Sequence, residues 1–198
     1  MPELILSGGT GKGNENKLHA LFLKIVKNEP ILYIPIATKP SRYDKCYEWI
    51  TSAFKRDVTM ITALTDIDLS KFNGIVIGGG NTFKLLKEIK ENKWEDKLKN
   101  FKGVIYGGSA GAIIFGKDIS TCSFGELKDK NEVKLKDLRG LDLLDNFNLY
   151  CHFNVKRKEE VIAHIEETKV PIIALPNDSG IHVKDKFIFP INRIYIYK

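Results

Sequence analysis

The stretch that decides the fold is Gly103-Val104-Ile105-Tyr106-Gly107-Gly108-Ser109-Ala110-Gly111-Ala112-Ile113. Its first part is a short apolar run typical of a buried strand, and its last part begins a helix. Between them lies the pattern Gly-x-Ser-x-Gly, in which a serine occupies a sharp strand-to-helix turn that small neighbours allow to close. The helix N-terminus behind such a serine favours an oxyanion. The pattern predicts Ser109 as a nucleophile. The alternative is a glycine-rich turn whose glycines serve only to let the strand and the helix pack closely.

A second glycine-rich turn follows another apolar strand. The strand is Gly74-Ile75-Val76-Ile77, and Gly78-Gly79-Gly80-Asn81-Thr82-Phe83 leads from it into a helical pattern. Three consecutive glycines leave backbone N–H groups accessible, and such groups can bind a carboxylate or an oxyanion. A tight turn that needs a positive φ is the alternative, although one glycine would suffice for it.

Strands and helices alternate along most of the chain, which predicts an α/β fold with a mostly parallel sheet flanked by helices on both faces. Functional residues are then expected at the carboxyl ends of the strands, where both glycine-rich turns lie. Residues 181–183 and 187–189, joined by a turn at 184–186, predict an antiparallel hairpin near the C-terminus. We find no internal repeat or linker, so we expect one domain over residues 1–198. The irregular segment 117–146 is typical of an active-site cover.

Composition and charge narrow the class of protein. The chain has 198 residues, 43% of them hydrophobic, and a formal net charge of +6. Its lysines are interleaved with acidic residues, which favours solvated helix faces over a nucleic-acid-binding stripe. Cys46, Cys122 and Cys151 have neither metal-ligand spacing nor a disulfide framework. We expect a cytoplasmic protein, monomer or homodimer, with neither nucleic acid nor membrane as a partner.

The first strand leads into another glycine-rich loop, Gly8-Gly9-Thr10-Gly11-Lys12-Gly13. A Walker loop needs Ser or Thr after its lysine, and here Lys12 precedes Gly13. The acidic residue of a dinucleotide-binding fingerprint is also missing. We therefore expect a flexible loop near the site rather than a nucleotide-binding loop.

A serine nucleophile needs a base, and the candidates are His19, His152, His164 and His182. His19 and His164 lie on amphipathic helical patterns and are predicted to be at the surface. His152 ends an apolar strand and is predicted at the same sheet edge as Ser109. The order Ser109, Asp178, His182 is that of α/β-hydrolases, but four residues along one strand separate base and acid by more than about 10 Å. We favour His152.

Four motifs together resemble the peptidase E family, the aspartyl dipeptidase and cyanophycinase group of serine peptidases. They are residues 75–86, residues 106–112, His152-Phe153-Asn154 and residues 172–181. The resemblance runs from the first strand to about residue 183. It implies a class I glutamine-amidotransferase-like, flavodoxin-like fold with a serine nucleophile, a histidine base and an acidic third member. It also implies cleavage of dipeptides with an N-terminal aspartate and no metal or organic cofactor.

The resemblance assigns roles to several positions of this chain. It implies Ser109 as nucleophile, His152 as base, and backbone N–H groups of Gly79 or Gly80 and of Ala110 as oxyanion donors. The next two residues of the glycine-rich turn, Asn81 and Thr82, are then expected to bind substrate.

The third member of the triad stays open. The family's glutamate corresponds to Asn177, with Asp178 beside it, and a second acidic position considered for the family corresponds to Phe124, with Glu126 nearby. An asparagine can orient an imidazole but stabilises the imidazolium less than a carboxylate does. We favour Asn177, with Asp178 and Glu126 as alternatives.

Substrate specificity also stays open. In the dipeptidases an arginine after the histidine receives the substrate aspartate, because a guanidinium matches a carboxylate. Arg157 is the nearest counterpart, although the loop before it is shorter and Lys156-Arg157-Lys158 is equally typical of a solvated helix start. We predict a serine dipeptidase or exopeptidase acting on small peptides with an acidic N-terminal residue. The alternatives are a catalytically impaired binding module and an amidase for a non-peptide substrate.

Overall fold

Ten strands and six helices make up the regular structure of a computed structural model that describes residues 1–9 and 16–198. The strands are β1 (Glu3–Ser7), β2 (Ile31–Ile34), β3 (Thr59–Met60), β4 (Gly74–Ile77), β5 (Val104–Gly108), β6 (Asn148–Cys151), β7 (Ile172–Leu175), β8 (Gly180–Lys184), β9 (Phe187–Ile191) and β10 (Tyr195–Tyr197). The helices are α1 (Asn16–Val26), α2 (Tyr43–Phe54), α3 (Thr82–Glu91), α4 (Glu95–Lys99), α5 (Ala110–Ile113) and α6 (Lys158–Thr168). Short 3₁₀ turns cover Pro40–Arg42, Leu69–Lys71, Ser120–Ser123 and Val155–Arg157.

A seven-stranded sheet in the order β3-β2-β4-β5-β1-β8-β9 forms the centre of the fold. Its first five strands are parallel, and β8 and β9 add an antiparallel hairpin at one side. In the parallel register Ser7 pairs with Gly108, and Ile77 pairs with Gly107. The carboxyl ends of β1, β4 and β5 therefore lie side by side, next to the glycine-rich turns.

Helices cover both faces of this sheet. On one face α1 and α2 bury Phe22, Ile50 and Phe54 against strand residues such as Tyr106. On the other face α3, α4 and α5 pack in the larger core cluster, in which Trp94 is almost completely buried. The predicted α/β class, with a mostly parallel sheet between helices and an antiparallel C-terminal hairpin, is confirmed. The assignment of a single domain stays a prediction.

A second sheet, in the order β10-β7-β6, carries the histidine strand. The prediction that His152 ends a strand of the same sheet as Ser109 is wrong, because β6 pairs in parallel with β7 and β7 pairs with β10. The two sheets meet where the N–H of His152 donates to the carbonyl oxygen of Gly8, at 2.7 Å. The carboxyl end of β6 thus still reaches the carboxyl end of β1.

Two histidines predicted at the surface are not there. His19 is 7% exposed and packs against the rings of Trp49, Phe54 and Tyr106, and this burial lowers its pKa to about 4. His164 is half-buried, with Nε2 2.8 Å from Ser120 Oγ. Both lie on helices of the expected type, but their neighbours come from elements distant in sequence, which helical periodicity does not indicate.

Two predictions from the sequence remain, one on the glycine-rich loop after β1 and one on membrane contact. Most of the glycine-rich loop after β1, from Thr10 to Gly13, lies outside the described residues, as does the prediction of its flexibility. Within residues 1–9 and 16–198, none of the helices combines the length and apolar character that crossing a bilayer requires.

Candidate active site

Ser109 occupies a sharp turn between β5 and α5. Its backbone has φ 50° and ψ −111°, a conformation that costs a non-glycine residue about 1–3 kcal/mol and needs the surroundings to hold it. Its N–H donates to the carbonyl oxygen of Ser7 at 3.1 Å. A Cβ at Gly107 would overlap the carbonyl of Gly111, and one at Gly111 would overlap the carbonyl of Ile77. The glycines of the motif are therefore required by packing around the turn.

His152 meets this serine from the second sheet. Its Nε2 lies 2.8 Å from Ser109 Oγ. The residue itself has a positive φ of 55°, which turns the chain just beyond β6. Gly9 lies directly against the imidazole, where any Cβ would overlap the ring. The backbone of the first glycine-rich loop thus helps to hold the imidazole against the serine.

The side chain behind His152 is that of Asn177. Its Oδ1 lies 2.7 Å from Nδ1 of the imidazole. Because an amide oxygen only accepts, the proton is assigned to Nδ1, and the lone pair of Nε2 then faces the serine hydroxyl. Asp178 has φ 65° and its N–H donates to the carbonyl oxygen of Gly9. Glu126 lines the cavity in front of the serine. Of the three candidates, Asn177 has the geometry of the third member.

His182, the alternative base, lies elsewhere. It pairs with Ile5 in the middle of the sheet, and its Nε2 is 2.6 Å from Glu3 Oε1. The contact with Glu3 accounts for a histidine at this position. His182 takes no part in the serine site.

The second glycine-rich turn packs on the serine. A Cβ at Gly79 would lie 3.4 Å from the Cβ of Ser109, and Gly80 has φ 145°. Within the described part of the chain, the N–H groups of Gly79, Gly80 and Ala110 have no protein acceptor. These three groups are therefore available for a negatively charged oxygen at the serine.

Two cavities, each of about 440 Å³, meet at Ser109 and His152. The first, called the acidic cavity here, is lined by Glu126 and Asp129 and bounded by the irregular segment after α5. The second, the basic cavity, is lined by Lys45 and runs along the start of α2. Arg42 lines both. The segment predicted as a cover, residues 117–146, therefore forms a wall of the site.

The chain matches peptidase family S51 over residues 4–189, which is nearly all of it. It belongs to that family. Peptidase E of Salmonella paratyphi A and of Salmonella typhimurium LT2 are each 31% identical to it over 210 residues, which cover 93% of this chain and 87% of theirs. Peptidase E of Salmonella typhi is 29% identical with the same coverage. The S51 assignment makes the protein a serine-type peptidase, as the resemblance implied.

A solved structure has the same fold as this S51 peptidase. It is a Listeria monocytogenes EGD-e protein provisionally named peptidase E, which superposes with a TM-score of 0.74 at 22% identity. The match covers 96% of this chain and 98% of the Listeria protein.

Of the predicted substrate-binding residues of the S51 peptidase, Thr82 lines a cavity at the serine and Asn81 does not. Thr82 is fully buried and lines the acidic cavity, where its N–H donates to Asp129 Oδ2 at 2.8 Å. The side chain of Asn81 accepts the N–H of Lys84 and donates to the carbonyl oxygen of Lys130. It caps α3 and lines neither cavity, and the expected contact of Asn81 with substrate stays a prediction. The cap explains why an asparagine follows the glycines.

Arg157 of the S51 peptidase lies beside Tyr150 and Glu126, two residues that line the acidic cavity. Its Nη2 is 2.7 Å from Glu160 Oε2, and the residue lines neither cavity. The expectation that it receives the substrate carboxylate stays a prediction. Arg42 lines both cavities, and sequence reasoning missed it because it lies in a loop without a recognisable motif.

Two of the three cysteines of the S51 peptidase, Cys122 and Cys151, do not compete with Ser109 as nucleophiles. Burial raises the pKa of the Cys122 thiol to about 12 and also raises that of Cys151, so both stay protonated. All three cysteines are free, and no cluster of potential metal ligands occurs among the residues that the structure describes.

Proposed function

We propose that this S51 peptidase is an exopeptidase that hydrolyses small peptides with an acidic N-terminal residue through an acyl-enzyme. The observation that carries the proposal is the continuous contact from Ser109 Oγ to His152 and on to Asn177, at 2.8 Å and 2.7 Å. This arrangement is that of a nucleophile, a base and a group that orients the base.

In the proposed mechanism Ser109 Oγ attacks the scissile carbonyl while Nε2 of His152 takes its proton. The oxyanion then accepts hydrogen bonds from the N–H of Ala110 and from the glycine-rich turn at Gly79 and Gly80. The imidazolium returns the proton to the departing amine, and the acyl-enzyme forms. A water molecule, deprotonated by the same imidazole, hydrolyses the ester and releases Ser109.

The charges of the acidic cavity support an exopeptidase. Glu126 and Asp129 line it directly in front of the serine. A free α-ammonium of an N-terminal residue would be stabilised there, whereas an internal peptide bond offers no positive charge. The relatives named peptidase E support the same proposal.

The proposal extends to the cellular compartment in which the enzyme acts. The free thiols of Cys46, Cys122 and Cys151 are typical of a reducing compartment, so we place the activity in the cytoplasm. Whether the protein acts as a monomer or a homodimer stays a prediction.

A serine-directed fluorophosphonate tests the assignment of the nucleophile. We expect it to label the wild-type protein but not Ser109→Ala, and His152→Ala should lose nearly all labelling, since triad members act as a unit. Ser120→Ala is the matched control, because Ser120 also lies 2.8 Å from a histidine but lines neither cavity. Its labelling should match the wild type. Labelling of Ser109→Ala would refute the assignment.

A catalytically impaired binding module is the second candidate, and Asn177 favours it. Its neutral amide leaves the imidazolium without the carboxylate that serine peptidases usually place there. Turnover of Asp-Leu by the wild-type protein separates the two candidates. Hydrolysis supports the peptidase, and tight binding of the dipeptide without hydrolysis supports the module.

A further inference from the structure

The two cavities that meet at Ser109 differ in charge. Glu126 and Asp129 line the acidic cavity, whereas Arg42 and Lys45 line the basic cavity. Among the residues that the structure describes, no acidic side chain lines the basic cavity. The proposed activity gives the acidic cavity the α-ammonium of the substrate's first residue, and it leaves the basic cavity without a role.

The course of a bound peptide connects the two cavities. The scissile carbonyl lies at Ser109, so a peptide whose first residue occupies the acidic cavity has the basic cavity as the second space at the serine. His152, which returns the proton to the departing amine, lines this cavity as well. The leaving residue of a dipeptide ends in a free α-carboxylate. A cationic side chain in the basic cavity would therefore face that carboxylate.

One face of α2, continued back into the turn before it, forms a wall of the basic cavity. Its side chains follow one another at intervals of three or four residues, which places them on the same side of a helix. They are Arg42, Lys45, Cys46 and Trp49. The side chain of Cys46 hydrogen-bonds with that of Tyr33 on β2, so this face of α2 is held against the sheet.

The side chain of Lys45 is available for a ligand. The residue is exposed, and within residues 1–9 and 16–198 its ammonium has neither a hydrogen bond nor an ion pair to the protein. Asp44 and Glu48, its acidic neighbours on α2, do not pair with it. Arg42 lines both cavities, but Lys45 lines only the basic one. Lys45 is thus the cation that belongs to the basic cavity alone.

Trp49 adds an apolar surface beside Lys45. Its side chain is 42% exposed, although its ring contacts that of His19 with 5.8 Å between the centroids. Tyr33 and Tyr106 also line the cavity. An apolar side chain bound there would remove this aromatic surface from water, which is favourable. The cavity therefore fits an amino acid with an apolar side chain and a free carboxylate, such as a C-terminal leucine.

We propose that the basic cavity is the subsite for the leaving residue and that Lys45 binds the α-carboxylate of a dipeptide there. This rests on the peptidase activity proposed above. A dipeptide amide or a longer peptide has no charge at this distance from the scissile bond and gains nothing from Lys45. The subsite would therefore favour dipeptides with a free carboxylate.

The test compares Asp-Leu with Asp-Leu amide, which has the same shape but no C-terminal charge. In Lys45→Gln we expect kcat/KM for Asp-Leu to fall about 5- to 20-fold, at the low end for contacts between charged groups because Lys45 is exposed to water. For the amide we expect a change of less than about threefold, since it has no charge to pair with the ammonium.

Lys55→Gln is the matched control. It removes the same charge at the other end of α2, from a residue that lines neither cavity. It should keep the wild-type ratio of kcat/KM for the dipeptide and its amide. An unchanged ratio in Lys45→Gln would overturn the proposal. An equal loss of the ratio in Lys55→Gln would also overturn it, because the preference would then come from the overall charge of α2.

Binding separates this inference from the proposed hydrolysis. Calorimetric titration of Asp-Leu into Ser109→Ala and into Ser109→Ala/Lys45→Gln needs no turnover. At least about fivefold weaker binding in the double variant, with unchanged binding of the amide, supports the carboxylate subsite even if the wild-type protein hydrolyses nothing. Equal binding of Asp-Leu by both variants, an equal loss for the amide, or no binding to Ser109→Ala contradicts it even if the wild type is an active peptidase.

Discussion

At the scale of single residues, Asn177 has the largest consequence for the chemistry. Its amide oxygen accepts the Nδ1 proton of His152 as a carboxylate would, so it can fix the tautomer and the orientation of the ring. It carries no charge, however, and does not offset the positive charge that His152 acquires during the reaction. Orientation and charge stabilisation, which one carboxylate usually combines, are therefore separated in this site.

Substitution at Asn177 should reveal this separation. Asn177→Ala leaves the Nδ1 proton without its acceptor, and we expect kcat/KM to fall about 10- to 100-fold. Asn177→Asp adds a negative charge beside the imidazolium, so the acid limb of the pH profile of kcat/KM should move to higher pH. Both effects are measured on Asp-Leu between pH 5 and about 9, a range that spans histidine titration.

Asp178→Asn is the control for this pair, because it changes the same charge one residue along the loop. We expect it to leave the acid limb where it is in the wild type. A loss of activity in Asp178→Asn as large as that in Asn177→Ala would mean that Asp178, and not Asn177, supports the base.

At the scale of elements, the packing of α1 explains a histidine that the helical pattern had placed in solvent. Its ring lies 5.8 Å from that of Trp49, 5.2 Å from that of Phe54 and 5.3 Å from that of Tyr106. Two of these rings come from α2 and one from β5. His19 therefore joins two helices to the sheet, and an apolar contact of this kind favours the neutral imidazole.

The stability of this helix pair should depend on pH. The native pKa of His19 is about 4 and its ordinary value is 6.5, so the unfolded chain binds more protons between these values. The contribution of His19 to the free energy of unfolding is thus fully present above pH 6.5. It decreases by up to about 3 kcal/mol as the pH falls toward 4. His19→Leu should show a smaller decrease in urea unfolding from pH 7 to pH 4.5 than the wild type. Parallel decreases in the two proteins would contradict this role.

At the scale of the whole molecule, the site is shared between two sheets. Ser109 follows β5 of the seven-stranded sheet, whereas His152 and Asn177 follow β6 and β7 of the three-stranded sheet. One core cluster includes Leu6 from the first sheet and Leu175 from the second. The contact between nucleophile and base therefore depends on how the two sheets pack together.

We expect the two sheets to unfold as one unit, as the prediction of a single domain requires. A shared core opposes separate opening, because separation would expose apolar surface on both sides. Native-state hydrogen exchange should give the amides of Tyr150 and Ala174 about the same free energy of opening as those of Val76 and Tyr106. Markedly easier opening of β6 and β7 would instead show two independently stable units.

Much of the fold and the reactive pair could be predicted because they follow from local rules. The positive φ of Ser109 needs small neighbours, and Gly107 and Gly111 supply them within two residues. Apolar runs such as β4 are buried along their whole length, as the central strand of a parallel sheet requires. The choice of His152 over His182 also followed from the rise of a strand, which acts over a few residues.

The sequence by itself thus determined the α/β class, the serine turn, the glycine-rich turn and the histidine that faces them. Only the tertiary structure decided that β6 belongs to a second sheet, that Asn177 lies behind the base, and that Arg42 lines the cavities at the serine. The physical reason is separation along the chain. Steric limits on a turn act between neighbouring residues, whereas Arg42, Ser109 and Asn177 are brought together only by the packing of elements more than sixty residues apart.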